Sequence, residues 1–99
     1  MIAVLGSFRL PLEALGQARP LMRAVIAATL AEPGCRAYSY AEDLAEPGLF
    51  RVTEQWDSRE ALAAHFATPH MQAWAKQRAA LGLFDRDISV YPLGAEEKL

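Results

Sequence analysis

Two stretches of the 99-residue chain carry hydrophobic residues at helical spacing. Across residues 12–31 they recur every three or four positions, and Pro20 predicts a kink or a short opening turn before the main helix. Further along, Asp57 is expected to cap a helix through a capping box with Glu60, and Thr68-Pro69 to restart that helix. The pattern therefore predicts two helical regions, the second divided into two segments.

Four other stretches have the apolar runs or the two-residue alternation of strands. They are Met1 to Leu10, Arg36 to Glu42, Leu49 to Trp56 and Ile88 to Leu93. The order β-α-β-β-α-β predicts a ferredoxin-like α+β fold, in which helices cover one face of a four-stranded antiparallel sheet. We expect a single domain over residues 1–93 and a short frayed tail over residues 94–99.

The other face of the predicted sheet is too apolar to be left comfortably in water. Its alternate residues include Ala3, Leu5, Ala37, Ser39, Leu49 and Thr53. A single chain has nothing left to cover this face, and exposed apolar surfaces of such size usually bind a partner. We therefore expect a homodimer with an isologous, sheet-against-sheet interface.

Composition narrows the possible partners and the location. With 53% hydrophobic residues the chain is too apolar for disorder, and its net charge of −2 argues against nucleic acid or an anionic membrane. No apolar stretch approaches the roughly 20 residues of a membrane span. Cys35 is the single cysteine and cannot form an intrachain disulfide, and no secretory signal is visible, so a cytoplasmic protein is expected.

The residues that could carry chemistry cluster between the third strand and the second helical region. His65 and Phe66 belong to the predicted inward stripe of the helix, together with Ala61 and Leu62. An imidazole has an unperturbed pKa of about 6.5, which suits it to accept a proton near neutral pH. The alternative is a core histidine that is bonded to a carbonyl group or to Glu54.

Glu54 and Trp56 are predicted to face the helices from the third strand. A buried glutamate needs a hydrogen-bond partner or a raised pKa, and either condition could serve a binding site. Alternatively, Glu54 lies at the rim and pairs with Arg36 or Arg78. Trp56 is either a core residue or a wall for an aromatic substrate.

His70 and Tyr38 are secondary candidates. His70 follows Pro69 in the first turn of a helix, where its ring could reach the mouth of a cavity or lie in solvent. Tyr38 could donate its hydroxyl to a ligand, or simply pack across strands. We expect no metal site, because His65, His70 and Cys35 exhaust the imidazole and thiol groups and Pro69 interrupts the histidine pair. No flavin, nicotinamide or nucleotide signature is present.

The chain resembles the antibiotic biosynthesis monooxygenase family of dimeric α/β barrels, which includes small quinol monooxygenases. The resemblance covers nearly the whole chain and depends on three motifs. These are EPGC-x-x-Y from Glu32 to Tyr38, E-x-W from Glu54 to Trp56, and A-L-x-x-H-x-x-x-P-H from Ala61 to His70.

The resemblance implies a homodimer with an apolar cavity between sheet and helices in each protomer. It also implies a monooxygenase that oxidises a phenolic or quinol-like aromatic with O2 and needs no flavin, haem or metal cofactor. On this chain it implies His65 as the acid/base and Glu54 as its polar partner. Trp56 and Phe66 would pack on the substrate ring, with His70 and Tyr38 in lesser roles.

Two other functions remain open: a non-catalytic ligand-binding or stress-response protein of the same fold, and a cofactor-free isomerase or lyase that uses His65 and Glu54. Haem degradation, which occurs on the same fold, is disfavoured. The chain contains no asparagine, and Ala75 and Lys76 occupy the stretch where the haem-ligating histidine would fall.

Overall fold

Four strands and three α-helices follow one another in the computed structural model, which describes residues 1–99. In chain order they are β1 (Ile2–Arg9), α1 (Leu15–Leu30), β2 (Cys35–Glu42), β3 (Leu49–Trp56), α2 (Arg59–Phe66), α3 (Pro69–Leu81) and β4 (Phe84–Pro92). A short 3-10 turn at Leu12–Ala14 precedes α1. The predicted β-α-β-β-α-β order is confirmed, with the second helical region in two segments.

The four strands form one antiparallel sheet in the order β2-β3-β1-β4. Strand β3 is therefore central, and its Glu54 lies opposite Val4 of β1 on one side and Tyr38 of β2 on the other. The arrangement is the predicted ferredoxin-like α+β fold. It places a carboxyl group in the middle of the sheet, among apolar and aromatic neighbours.

The core lies between the sheet and the helices and consists of two clusters. The larger is built on Phe8, Phe50 and Val52 of the sheet and on Met22 and Trp74 of the helices. The smaller contains Ile2, Val4, Tyr38, Trp56 and Leu62. Since Trp56 ends β3 and Leu62 belongs to α2, the smaller cluster marks the end of the domain where the candidate residues lie.

The start of α2 differs from the prediction. Its cap is Ser58, whose hydroxyl accepts a hydrogen bond from the Ala61 amide at 3.1 Å. Asp57, the predicted cap, instead pairs with Arg36 of β2. Because the cap lies one residue later, Glu60 does not occupy the third helical position and the capping box with Asp57 is wrong. The start of α3 is confirmed, since Thr68 caps it and Pro69 is its first residue.

Two other boundaries were predicted imperfectly. The opening turn exists, but α1 begins at Leu15 and continues through Pro20. A proline near the start of a helix removes only one amide hydrogen bond, and here the helix tolerates it. Strand β4 begins at Phe84 instead of Ile88. Its first part is charged and its pairing with β1 shifts register between Ser7 and Arg9, so the sequence lacks a clean alternation there.

The uncovered face of the sheet is less apolar than predicted. Ala3 and Leu49 are already buried within one chain, whereas Leu5 is exposed. Ser39 and Thr53 are exposed but polar. The prediction that Ala3 and Leu49 need a partner to cover them is therefore wrong, and the large side chains left in solvent on this face include Leu5 and Tyr91. None of the helices is long and apolar enough to span a membrane.

Candidate functional site

His65 is held on the inner face of α2, with a side chain that is only 1% exposed. Its ring lies against Trp56, with centroids 4.7 Å apart, and against Tyr38, with centroids 5.4 Å apart. These contacts with two different strands fix the position of the imidazole. The prediction that Trp56 and His65 share one space is confirmed, and the structure adds Tyr38 to it.

The hydrogen-bond partner of His65 is neither a carbonyl group nor Glu54. Its Nδ1 lies 2.7 Å from Oε2 of Glu32, in the turn between α1 and β2. The same oxygen lies 2.6 Å from Nε2 of His70. One carboxylate oxygen therefore holds both histidines of the chain, and we call Glu32, His65 and His70 the histidine–carboxylate cluster.

The turn that carries Glu32 is fixed by Gly34. Gly34 has a left-handed φ of +82°, and a Cβ there would lie 2.7 Å from the Cβ of Ala61 in α2. Its carbonyl also accepts a hydrogen bond from the Asp57 amide at 2.8 Å. Glycine is thus needed both for the backbone conformation and for the close approach to α2. The approach brings Glu32 over His65.

The break between α2 and α3 brings the two histidines together. In a continuous helix, residues five positions apart point about 140° away from each other. Here Thr68 donates its hydroxyl to the His65 carbonyl at 2.7 Å and starts a new helix, so that His70 faces back toward His65. The argument that Pro69 separates the histidines is therefore wrong, since donor atoms of all three cluster residues lie within 4.8 Å of one another.

Glu54 is bonded to its neighbour on the same face of β3. The Trp56 indole donates its N–H to Oε1 of Glu54 at 2.9 Å, so neither Arg36 nor Arg78 is the partner. Burial raises the pKa of Glu54, and the indole hydrogen bond opposes this only in part. A carboxyl group that is held neutral can donate a proton or a hydrogen bond, which is unusual for glutamate.

Tyr38 is buried and shares a hydrogen bond with Tyr40, with their hydroxyl oxygens 2.6 Å apart. Burial raises the pKa of Tyr38, and it raises the pKa of Tyr40 to about 12. Both phenols therefore stay protonated near neutral pH. They extend the polar interior from Glu54 along β2.

Phe66 and the cavities depart from the sequence-based picture. Phe66 is 54% exposed, so its place in the inward stripe is wrong, although its ring contacts that of His65 with centroids 5.4 Å apart.

None of the three cavities in the chain is lined by Glu54, Trp56 or His65. A cleft of about 110 Å³ between α1 and α3 is lined in part by His70. The space around His65 is filled by side chains, with Phe66 as its partly exposed cover.

The cluster determines how His65 can react. A carboxylate oxygen only accepts hydrogen bonds, so Nδ1 of His65 carries the hydrogen and Nε2 keeps a lone pair. Burial lowers the pKa of His65, and the Glu32 carboxylate opposes this shift. A neutral imidazole with a fixed tautomer is suited to act as a general base. Sequence reasoning gave Glu32 no role, although it is the first residue of the EPGC motif.

The fold defines a class of small α+β domains with solved members. The chain superposes on the crystal structure of an antibiotic biosynthesis monooxygenase candidate from Deinococcus radiodurans with a TM-score of 0.93 and 30% identity, covering 100% of this chain and 98% of that one. Rv0793 of Mycobacterium tuberculosis, which is named as a candidate monooxygenase, is 36% identical over 90% of this chain and 85% of its own length. Its crystal structure matches with a TM-score of 0.78.

A protein of Synechocystis, sll1783, is 29% identical over 99% of this chain and 67% of its own length. The family model for antibiotic biosynthesis monooxygenases matches residues 1–77. The chain therefore belongs to the antibiotic biosynthesis monooxygenase family.

Proposed function

We propose that the protein is a monooxygenase that inserts oxygen from O2 into a small phenolic or quinol-like aromatic, with His65 as the general base. The observation that carries the proposal is the hydrogen bond from His65 Nδ1 to Glu32, which leaves the lone pair on Nε2. Membership in a family of monooxygenases supports the reaction class. The base and the substrate class go beyond the family assignment and are part of the proposal.

The proposed chemistry needs only a base and a dry site. Nε2 of His65 removes the phenolic proton, and the electron-rich anion then transfers an electron to O2. Recombination of the aromatic radical with superoxide forms a carbon–oxygen bond, and protonated His65 returns its proton to the peroxide to give a hydroperoxide on the ring. Loss of water from the hydroperoxide leaves a carbonyl group, so that one phenol and one O2 give one quinone and one water. Burial of His65 keeps bulk water from the anion.

We assign the other candidates supporting roles. Glu54 carries a raised pKa, and its protonated form could donate a hydrogen bond to the substrate oxygen. Trp56 and Tyr38 support the His65 ring from the sheet side. Phe66 lies between His65 and solvent. Rotation of the Phe66 side chain would admit a flat ring between Phe66 and the imidazole. His70 lies at the edge of this opening.

The test is oxygen uptake with a panel of hydroquinones and fused-ring phenols. We expect His65→Ala to reduce turnover by about 100-fold or more, the usual contribution of a positioned general base. Leu62→Ala is the matched control, because it also shortens a buried side chain of α2 next to Trp56. Circular dichroism is the check that both variants are folded.

Wild-type turnover in His65→Ala would reject the role of His65. A protein that consumes no oxygen with any phenol, but exchanges a substrate proton without O2, would instead be an isomerase or lyase. If it binds aromatics and does neither, it is a ligand-binding member of the family.

We also propose that the uncovered sheet face packs against a second copy of the chain. Leu5, exposed in the middle of β1, supports this, and so does the half-exposed Tyr91 on the adjacent β4. Leu5→Glu should then shift the protein from dimer to monomer in light scattering. A monomeric wild-type protein at micromolar concentration would refute the interface.

A further inference from the structure

The histidine–carboxylate cluster contains the donor atoms of a transition-metal site. Nδ1 of His65 and Nε2 of His70 lie 2.7 and 2.6 Å from Oε2 of Glu32. All three donors lie within 4.8 Å of one another. We propose that Glu32, His65 and His70 bind one divalent transition-metal ion, with Zn²⁺ as the best match among common ions.

The donor atoms must rearrange to take the ion. Tetrahedral Zn²⁺ with bonds of about 2.0–2.1 Å separates its donors by roughly 3.3 Å. The Glu32 oxygen must therefore lie about 0.6 Å further from each histidine nitrogen, and the two nitrogens, which lie within 4.8 Å of each other, must come to the same roughly 3.3 Å by movement of His70. Glu32 lies on a turn and His70 on the first turn of α3, where side-chain rotation suffices. The ion then replaces the hydrogens that now join each imidazole to the carboxylate.

The surroundings give the site one rigid ligand and two accessible ones. The side chain of His65 is 1% exposed, that of Glu32 10% and that of His70 25%. An ion can therefore enter past His70, which also lines the cleft between α1 and α3. Three protein ligands with an open side are typical of zinc sites that keep a water molecule as the fourth ligand.

The donor types set the metal preference. Two imidazoles and one carboxylate favour Zn²⁺, Cu²⁺ and Fe²⁺, whereas Ca²⁺ and Mg²⁺ prefer oxygen ligands alone. Cys35 is the only thiol, and it follows Glu32 by three positions. A thiolate could also bind zinc, so the test must separate Cys35 from the cluster.

The experiment titrates the purified protein with Zn²⁺ against a chromophoric chelator, without oxygen and without any phenol. We expect one Zn²⁺ per chain, and a loss of affinity of about 100-fold or more in His70→Ala, which removes a ligand, and in Glu32→Gln, which replaces a charged oxygen ligand by a weaker neutral one. Cys35→Ser should bind like the wild type. Co²⁺ should give the visible absorption of a nitrogen- and oxygen-ligated ion, without a thiolate band.

Three results would overturn the site: no stoichiometric binding, unchanged affinity in His70→Ala, or loss of binding in Cys35→Ser. His70 is partly exposed and makes its polar contact only with Glu32, so His70→Ala keeps the test interpretable even if Glu32→Gln folds poorly. The unfolding midpoint with added Zn²⁺ gives a second readout, since an ion that binds only the folded state raises it.

The site has a consequence for the proposed reaction, and this consequence alone rests on the proposed function. A metal on Nδ1 of His65 moves the imidazole hydrogen to Nε2, so the base loses its lone pair. Zn²⁺ should therefore inhibit phenol oxidation in proportion to site occupancy. Zinc binding by itself, measured without oxygen or phenol, is independent of whether the protein is an oxygenase.

Discussion

Replacing Gly6 by alanine tests the packing of the sheet that supports the site. Gly6 lies in β1, opposite Val52 of β3 and Ile88 of β4. A Cβ at this position would lie 2.2 Å from the Asp87 carbonyl oxygen and 2.6 Å from the Ile88 Cα. Both neighbours are backbone atoms, so no side-chain rotation can relieve the contact.

The size of the effect follows from these distances. An ordinary contact begins at 3.4 Å, so β4 must move away from β1 by about 1 Å near Asp87. A shift of that size breaks the nearest ladder hydrogen bonds, each worth about 1 kcal/mol, and adds overpacking strain. We expect Gly6→Ala to lower the free energy of unfolding by about 2–4 kcal/mol. A domain of this size has about 5–15 kcal/mol in total, so the variant should still fold.

Gly16→Ala is the matched control, because it adds the same methyl group elsewhere. Gly16 lies in α1, and a Cβ there meets no atom within 4 Å. Alanine is the better helix former, so this variant should gain about 0.5–1 kcal/mol. Urea unfolding followed by circular dichroism measures both. If Gly6→Ala unfolds within about 0.5 kcal/mol of the wild type, the close packing of β1 against β4 is incorrect.

Two further substitutions test the polar interior. Glu54→Gln should raise the free energy of unfolding at neutral pH. Because the pKa of Glu54 is raised in the folded protein, this side chain stabilises the fold below its ordinary pKa of 4.5, and that contribution is lost as pH rises through the folded-state pKa. Gln keeps an acceptor for the Trp56 indole, so urea midpoints should differ at neutral pH and converge below pH 4.5; an equal difference at both contradicts this. Thr29→Val should be neutral or stabilise by about 1 kcal/mol, because the buried Thr29 hydroxyl has no hydrogen-bond partner. A loss above about 1 kcal/mol in the same assay would indicate a hidden partner.

Local patterns predicted the layers of the fold well. The alternation along β3 placed Val52, Glu54 and Trp56 on the inner face, and all three are buried. The helix restart at Thr68-Pro69 was also readable, because the cap and the proline act within one turn. Where either of two neighbouring residues could cap a helix, the sequence alone did not distinguish them. Ser58 caps α2 because Asp57 is taken by Arg36, a contact between distant positions.

The centre of the candidate site was harder to predict for the same reason. Glu32 and His65 are 33 positions apart, and no periodicity connects the turn after α1 with the inner face of α2. Only the folded arrangement, in which Gly34 packs against Ala61, shows that they meet. The prediction that Phe66 faces inward was wrong for a different reason. Phe66 is adjacent to His65, and α2 is too short for its few apolar positions to define one face sharply.

The break between α2 and α3 also makes the cluster recognisable in other chains. Both histidines reach one carboxylate only because Thr68 and Pro69 end one helix and start the next between them. A relative with glutamate before Pro-Gly at the exit of α1 and with His-x-x-Thr-Pro-His after β3 should carry the same cluster. A relative with one residue added or removed between the histidines should not. Family members can thus be sorted by sequence into those that have the histidine–carboxylate cluster and those that lack it.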